Sequence, residues 1–289
     1  SIEIIESLPM QNLSLAQLFS RLGDLVEVSG TDAFPEKIKV FFESFGDISE
    51  FSILTFQKNA VPIPVFTTVS GADKNLEHYC NGLYLLDPFY DSYVKNNFAS
   101  FAVWRDIAPN VFEESIQAYI NYMSNWEELE EVGYVFPVSA DTSLHFSFAL
   151  PSCDKGGNNL FTTFLKDLYP FLRPLIAKHW QDIETSIKDK EPEMRRLHTQ
   201  VHSILNNFGS SVLTGREQEI VRSMLHGHSA KSTAEVLGIS AGTVNVHRSK
   251  IYEKLDISSN SELFSLFIDA MTSVEVSGSQ DVLKNYLSH

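Results

Sequence analysis

The sequence predicts an α+β fold: an N-terminal α/β sandwich with helices flanking an antiparallel sheet, followed by an all-α helix-turn-helix domain. Three observations predict it. Amphipathic helical segments begin and end residues 1–188, stretches rich in β-branched and aromatic residues lie between them, and residues 213–255 contain three short capped helices. A chain of 289 residues with 43% hydrophobic and 20% charged residues is long enough for two such domains.

The N-terminal elements follow from hydrophobic periodicity and turn residues. Pro88 keeps Asp87 out of the helical region and suits the first turn of a helix. The pattern predicts helices at 13–28 and 34–45, a hairpin of strands 50–56 and 62–69, a helix at 76–86, a helix at 89–95, a strand at 101–104, a helix carrying Tyr119, Tyr122 and Trp126, strands at 133–138 and 143–150, and a long helix at 159–185.

A charged run, DKEPEMRR at residues 189–196, is predicted to be the hinge between the two parts, with a linker helix at 197–208. We therefore expect a ligand-sensing and dimerisation domain at 1–188, a linker at 189–212, a helix-turn-helix domain at 213–275 and a C-terminal tail at 276–289.

The segment 213–255 predicts a helix-turn-helix from its caps. Thr214 and Glu217 have the spacing of a capping box, and Gly227 stands where a helix would end in the left-handed conformation. The caps expected for the next two helices are Ser229, Gly238 and Ser240, with Ala234, Val236 and Leu237 turned inward. The turn between these two helices is about four residues long, as the motif requires.

The third helix of this segment, 241–255, is predicted to present an outer side suited to DNA. Its inner side is formed by Val244, Ile251 and Leu255, and its outer side by Asn245, Val246 and Ser249. An amide can pair with an adenine edge, an apolar residue can touch a thymine methyl group, and a hydroxyl can donate or accept, which suits a major groove. The alternative is an ordinary three-helix core with one stray exposed valine.

Two stretches of this segment, LTGREQEIV and ISAGTVNVHRSKIYEKL, resemble the DNA-binding domain of the LuxR family of transcriptional regulators. The resemblance implies base contacts at Asn245, Val246 and Ser249, and phosphate contacts at Lys231, Thr243, His247, Arg248 and Lys250. Gly215 replaces the proline that is usual in the family, and Asn245 stands where many members carry lysine. The base preference therefore cannot be taken from the family.

A fourth helix is predicted after Asn260 or Ser261, with Leu263, Phe264, Phe267 and Ile268 in one stripe. In the resembled family this helix makes the dimer contact on DNA. Alternatively, the phenylalanines cover the three-helix core, and both interpretations can share the same residues.

The N-terminal part is rich in aromatic residues, which predicts either an apolar small-molecule pocket or a packed core. Asp87 could supply the oriented acceptor of such a pocket, or it could be a helix cap before proline. YLLDPFY followed by FAVW resembles the ligand-binding domain of LuxR-type quorum-sensing receptors, which implies that Asp87 accepts from a ligand amide beside Trp104. The candidate ligand-binding residues are Tyr79, Tyr84, Asp87, Trp104, Tyr119, Tyr122 and Trp126. The family's upstream tryptophan is absent near Lys74, so the stretch resembles more closely the broader set of LuxR-family regulators with a GAF-like or autoinducer-like sensor, whose ligands are mostly unassigned.

Composition and motifs disfavour other classes of protein. The net charge is −15, but residues 213–255 carry 4 acidic and 6 basic residues, against 28 acidic and 15 basic residues before them, so only this segment suits phosphate. The two cysteines, Cys80 and Cys153, indicate no metal site or disulfide scaffold, and no phosphate loop or nucleophile elbow is present. We expect no enzyme activity, no cofactor and no metal. No apolar run is long enough to span a membrane, so a cytoplasmic protein is expected.

These inferences predict a homodimeric transcription regulator that binds a two-fold DNA operator under the control of a small-molecule ligand, with quorum sensing as one candidate for that control. The alternative is a ligand-independent DNA-binding regulator whose N-terminal part only dimerises or docks a protein partner.

Overall fold

The computed structural model describes residues 14–68, 74–108, 129–151, 160–273, 281 and 283. Its helices are α1 (Leu15–Val28), α2 (Phe34–Glu43), α3 (Lys74–Cys80), α4 (Pro88–Asn96), α5 (Trp104–Ile107), α6 (Leu160–His179), α7 (Ile183–Ile187), α8 (Glu191–Asn207), α9 (Gly215–Leu225), α10 (Ala230–Leu237), α11 (Ala241–Leu255) and α12 (Asn260–Ser273), with a 3₁₀ turn at Leu83–Leu86. Its strands are β1 (Glu50–Gln57), β2 (Pro64–Thr67), β3 (Phe101–Val103), β4 (Leu129–Pro137) and β5 (Thr142–Pro151). The α+β class predicted from the sequence is confirmed.

The five strands form one antiparallel sheet in the order β2-β1-β5-β4-β3. Successive residues of a strand point to opposite faces, so each face has its own set of side chains. One face is almost wholly apolar and packs against α1, α2 and α6. Its aromatic centre includes Phe42 of α2, whose ring lies edge-on to Phe148 of β5 at 4.8 Å, and Tyr134 of β4.

The second face of the sheet packs against α3, the 3₁₀ turn, α4 and α5, and its apolar cluster continues into the C-terminal helices. Leu54 and Val135 of the sheet belong to the same cluster as Val201 of α8 and Phe267 of α12. Burial of such contiguous apolar surface is the main favourable term in folding. The candidate sensor side and the helix-turn-helix are therefore joined by one continuous core.

The caps predicted for the helix-turn-helix are confirmed. Thr214 and Glu217 form a reciprocal capping box at the start of α9. Ser229 and Ser240 accept from backbone N–H groups in the first turns of α10 and α11, and Gly238 ends α10 in the left-handed conformation. Because each cap satisfies a helix terminus locally, these boundaries could be predicted from sequence.

Three N-terminal expectations need correction. The helix predicted at 76–86 is interrupted at Gly82, where φ is +151° and an added Cβ would lie 2.7 Å from the Met271 side chain and 2.8 Å from that of Val201. The long helix predicted at 159–185 ends at His179, and a separate short helix, Ile183–Ile187, follows it. The strand predicted at 101–104 ends at Val103, where α5 begins.

The charged run predicted to be a hinge is helical from Glu191. Ion pairs within α8, from Arg195 to Glu191 and from Arg196 to Glu193, stabilise its first turns. The same turns contact the N-terminal part, since Arg195 Nη1 donates to the Lys58 carbonyl over 3.3 Å. The run is charged because it forms an exposed helix start, and the domain boundary expected there stays a prediction.

The orientation predicted for Val236 from the sequence pattern is also wrong. It was expected to face inward, yet 66% of it is exposed, while Thr233 and Ala234 are the buried residues of α10. An eight-residue helix contains little more than two turns, so periodicity alone determines its inner side poorly.

Candidate DNA-binding face and sensor face

Asp87 is held at a buried junction between the 3₁₀ turn and α4, where it is the helix cap. Its Oδ1 accepts from the Phe89 N–H over 2.9 Å, and its Oδ2 accepts from the Tyr79 hydroxyl over 2.5 Å. Burial raises the pKa of Asp87, while hydrogen bonds from Tyr79, Phe89 and the Trp104 side chain lower it, and burial prevails. The structure thus brings together Tyr79, Asp87 and Trp104 from the predicted ligand site.

Tyr84 is placed differently from the rest of that predicted site. Its hydroxyl lies 2.7 Å from Nδ1 of His198 in α8, and its ring packs edge-on against Tyr90 at 4.9 Å. The rings of Tyr79 and Tyr84 are 6.4 Å apart, so Tyr84 adjoins the Asp87 cluster but directs its polar atom towards α8. The remaining predicted residues, Tyr119, Tyr122 and Trp126, lie outside the described residues.

A row of hydroxyl groups that was not predicted from the sequence crosses the sheet on the same side. Ser52 of β1 pairs with Ser147 of β5 and hydrogen-bonds to Thr67 of β2 over 3.1 Å. The Ser147 hydroxyl donates to Glu131 of β4, also over 3.1 Å. Burial raises the pKa of Glu131, and the nearby Asp87 carboxylate raises it further. Polar residues at alternate positions of otherwise apolar strands were the sequence signal for this row.

His145 lies on the same face of the sheet, among apolar side chains. Its ring stacks on Phe56 at 4.7 Å and lies 4.6 Å from that of Phe89. Burial lowers the pKa of His145 to about 4, although a hydrogen bond to the Tyr134 carbonyl raises it slightly. The imidazole is therefore neutral at pH 7 and acts as part of the core.

The candidate DNA-binding face is the exposed side of α11. Ser240 fixes the start of this helix by accepting from the Thr243 N–H over 3.0 Å, and Val244 and Ile251 anchor its inner side in the core. On the outer side Asn245, Val246 and Ser249 are all exposed, Val246 by 56%. Among the residues that the structure describes, this side of the helix therefore presents one exposed apolar side chain beside two hydrogen-bonding ones.

The predicted phosphate-contacting residues lie on α10 and α11. Lys231, Thr243 and Lys250 are exposed, and His247 and Arg248 are half-buried. The Arg248 guanidinium donates to the Tyr252 hydroxyl over 3.3 Å, which holds it along α11. Cations and hydroxyls in this arrangement can fix a protein on a phosphate backbone.

An internal ion pair that was not predicted from the sequence holds α9 and α11 together. Oε2 of the buried Glu217 accepts from the Thr214 N–H over 2.8 Å and from Lys254 Nζ over 2.7 Å. Burial alone would raise the pKa of Glu217, but Lys254 and Thr214 outweigh it and lower the pKa. A capping residue thus also fixes the angle between the first and third helices.

Residues 211–267 match the family described as bacterial regulatory proteins, luxR family. The C-terminal domain belongs to the LuxR family. The match covers the capped helices, the exposed side of α11 and most of α12, so the resemblance noted in the sequence is confirmed there. The family is one of DNA-binding regulators and not of enzymes.

Several known proteins are similar to the chain. A protein of Aeromonas salmonicida described as an HTH-type transcriptional regulator in the exeN 3′ region is 25% identical over 194 residues, which cover 66% of this chain and 97% of the relative. The response regulator protein TodT of Pseudomonas putida is 38% identical over 72 residues, and the transcriptional regulatory protein UhpA of Escherichia coli is 39% identical over 57 residues. These two matches cover 25% and 20% of this chain, but only 31% and 29% of the relatives.

Two solved structures resemble larger parts of the chain. The VqsR ligand-binding domain of Pseudomonas aeruginosa aligns with 56% of this chain and 94% of its own length, at 23% identity and a TM-score of 0.46. SdiA of Escherichia coli aligns with 92% of this chain and 94% of its own length, at 15% identity and a TM-score of 0.34.

The fourth helix of the LuxR-family domain, α12, is packed inside its own chain. Leu263, Phe264, Phe267 and Ile268 are all buried, and Phe267 lies edge-on to Phe208 at 5.2 Å. These residues therefore cover the three-helix core, and the dimer contact expected of this helix stays a prediction. In the described parts of the chain, no helix is both long and apolar enough to cross a bilayer.

Proposed function

We propose that the chain is a homodimeric, sequence-specific transcription regulator that binds a two-fold DNA operator through α11 and responds to a small molecule in its N-terminal part. The proposed division is a sensing and dimerisation domain at 1–188, a linker at 189–212, a LuxR-family domain at 213–275 and a tail at 276–289. The observation that carries the DNA-binding part is the outer side of α11, where Val246 is exposed between Asn245 and Ser249 on a helix fixed by its cap and core.

In this proposal, Asn245, Val246 and Ser249 contact base edges, and Lys231, Thr243, His247, Arg248 and Lys250 contact phosphates. Each dimer head then occupies one half-site, and the half-sites lie about one helical turn apart. The acidic N-terminal part faces away from DNA, since phosphate repels it.

The experiment is a binding titration of variants against a duplex selected from a random library and against a scrambled duplex. Asn245→Ala should relax specificity at one or two base positions, with a loss of about 1–3 kcal/mol on the selected duplex. Lys231→Ala should weaken both duplexes equally and reduce the salt dependence by about one unit.

Val246→Ala and Val236→Ala form a matched pair, since both valines are exposed on the LuxR-family domain but only Val246 lies on the proposed base-reading side. Val246→Ala should lower affinity for the selected duplex, whereas Val236→Ala should not. Equal behaviour of the two variants would contradict the assignment of α11.

The sensing part of the proposal rests on the sheet face beside Asp87. Hydroxyls of Ser52 and Ser147 and the half-buried Glu131 carboxyl line it next to apolar residues, which is the mixture typical of small-molecule sites. The groups on this face suit a ligand with hydrogen-bond donors. One observation favours the alternative, a ligand-independent domain that dimerises or docks a protein partner. Both oxygens of Asp87 already accept hydrogen bonds from groups of the protein itself.

Native mass spectrometry of the full chain, followed by denaturation to release bound molecules, separates these two candidates. A bound small molecule should be lost from Ser147→Val, which changes the proposed face, and kept by Tyr169→Phe, whose ring packs on the opposite face of the sheet. Failure of a screened donor-bearing library to bind the purified protein would favour the ligand-independent candidate.

A further inference from the structure

The 3₁₀ turn Leu83–Leu86 lies between the sheet face beside Asp87 and the C-terminal helices. The turn ends at Asp87, whose N–H donates to the Tyr84 carbonyl over 3.2 Å. The Asp87 carboxylate then starts α4 by accepting from the Phe89 N–H over 2.9 Å. One residue therefore ends the turn and also belongs to the face that is proposed to bind a small molecule.

The start of the turn is fitted closely to two C-terminal helices. Gly82 precedes it with a φ of +151°, a conformation that residues with a Cβ rarely adopt. An added Cβ would lie 2.8 Å from Cγ1 of Val201 in α8 and 2.7 Å from Cε of Met271 in α12. The end of a methionine side chain can move, but a valine in a helix is held to one rotamer. Only a residue without a side chain therefore permits this close approach.

The middle of the turn contacts two further groups of the C-terminal part. The Tyr84 hydroxyl lies 2.7 Å from Nδ1 of His198 in α8. His226, the cap that ends α9, lies beside the Leu85 carbonyl. Burial lowers the pKa of His226, and this carbonyl is one of the groups that raise it. Residues 82–85 thus touch α8, the end of α9 and α12.

The turn is too short and too tightly packed to absorb a shift of one of its ends. All four of its residues are buried, and the Leu85 N–H donates to the Gly82 carbonyl over 3.1 Å. Packed interiors of this kind transmit strain. The start of α8 is attached to the N-terminal part separately, since the Val61 N–H donates to the Met194 carbonyl over 3.2 Å. That contact does not involve the groups around Asp87.

We propose that Gly82 and the turn Leu83–Leu86 are the element through which the Asp87 face and the LuxR-family domain influence each other. A shift of Asp87 moves the groups against which His198, His226 and Met271 pack, and a shift of these helices moves Asp87 in return. Such coupling is reciprocal, so DNA binding itself reports it at Asp87 before any small molecule is identified. This rests on the proposed function and adds to it the route of regulation.

The test is hydrogen exchange of the Phe89 amide in the full chain, measured with and without the selected duplex. This amide is held by Asp87 and therefore reports on it. In the unaltered chain, the duplex should change its exchange rate at least about threefold. Gly82→Ala forces the turn away from Val201, and Tyr84→Phe removes the bond to His198. Each should bring the change below about 1.5-fold.

Gly30→Ala and Tyr169→Phe are the matched controls, and both should keep the full change. Gly30 also has a positive φ, +86°, but an added Cβ would meet no described atom within 4 Å. Tyr169 packs on the opposite face of the sheet. If Gly30→Ala abolished the change as Gly82→Ala does, backbone strain and not the contact would be responsible, which would overturn the proposal. Tyr84→Phe leaves the backbone unaltered and decides the matter if Gly82→Ala does not fold.

The remaining outcomes separate this proposal from the proposed function. A duplex that binds the unaltered chain without changing the Phe89 exchange overturns the coupling and leaves the DNA-binding regulator standing. A change that persists in both Gly82→Ala and Tyr84→Phe means that the two parts communicate by another route, and it also overturns the coupling. Equal affinity of the unaltered chain for the selected and the scrambled duplex overturns the proposed function itself.

Discussion

The Tyr84 hydroxyl and Nδ1 of His198 lie 2.7 Å apart in the buried layer between the 3₁₀ turn and α8. Tyr84 was expected to line a ligand pocket, but its polar atom instead joins the N-terminal part to the helix that leads into the LuxR-family domain. Burial, with contributions from His202 and Arg195, lowers the pKa of His198 to about 4, so the imidazole is neutral at pH 7.

Tyr84→Phe should lower the free energy of unfolding by about 1–2 kcal/mol, because Nδ1 of His198 is left buried without its partner. Urea denaturation at pH 7 measures this loss. Tyr169→Phe is the matched control, since its hydroxyl is only half-buried and its bond to the Val135 carbonyl is longer, at 3.3 Å. Equal losses in the two variants would show that the Tyr84 contact has no special energetic role.

The stability that the neutral His145 contributes should be lost as the pH is lowered from about 6.5 to about 4. Its pKa is 6.5 in the unfolded chain and about 4 in the folded protein, so between these values the unfolded state binds more protons and acid favours unfolding. The contribution of His145 is complete above pH 6.5 and is lost as the pH approaches 4. Because one pKa unit corresponds to about 1.4 kcal/mol, this contribution amounts to about 3 kcal/mol across the window.

His145→Phe, which keeps a ring between Phe56 and Phe89, should remove this loss, so that its unfolding free energy relative to the unaltered chain rises as the pH is lowered from 7 to 4.5. The comparison must be made against the unaltered chain at each pH. Burial raises the pKa of Asp87 and Glu131, so these carboxyls contribute with the opposite sign as the pH falls. A parallel pH profile in the variant would mean that His145 titrates normally in the folded protein.

Glu217→Ala should destabilise the LuxR-family domain by about 2 kcal/mol, because the buried carboxylate holds both the Thr214 cap and Lys254. Hydrogen exchange of the α9 amides measures this locally. Glu219→Ala removes the more exposed ion pair with Arg216 and should cost no more than about 1 kcal/mol. If both variants exchange alike, the capping box and its lysine do not hold α9 in place.

Asp281→Ala should release the turn that precedes the LuxR-family domain. The buried Asp281 carboxylate accepts from the Gly209 N–H over 2.9 Å and from both the N–H and the hydroxyl of Ser211. Its loss should cost about 2 kcal/mol locally and should accelerate hydrogen exchange at these two amides by at least about tenfold. Glu253→Ala, on the exposed side of α11, should leave their exchange unchanged.

Much of the fold could be predicted from the sequence wherever the cause of an element is local. Thr214 and Glu217 contact each other within one helical turn, so the start of α9 can be predicted from a stretch of four residues. The strands could be recognised from their composition, but their order and the hydroxyl row of Ser52 and Ser147 depend on pairing between segments about 95 residues apart. A polar residue in one strand does not reveal which strand lies beside it.

By itself the sequence determined the capped helices of the LuxR-family domain and the outer side of α11, because caps and helical periodicity act over a few residues. Only the tertiary structure decided that Tyr84 faces His198, that Val236 is exposed and that the apolar side of α12 is covered by its own chain. In each case the outcome depends on contacts with a residue of another element. The sequence pattern marks a residue as apolar or polar, but it does not show which element packs against that residue.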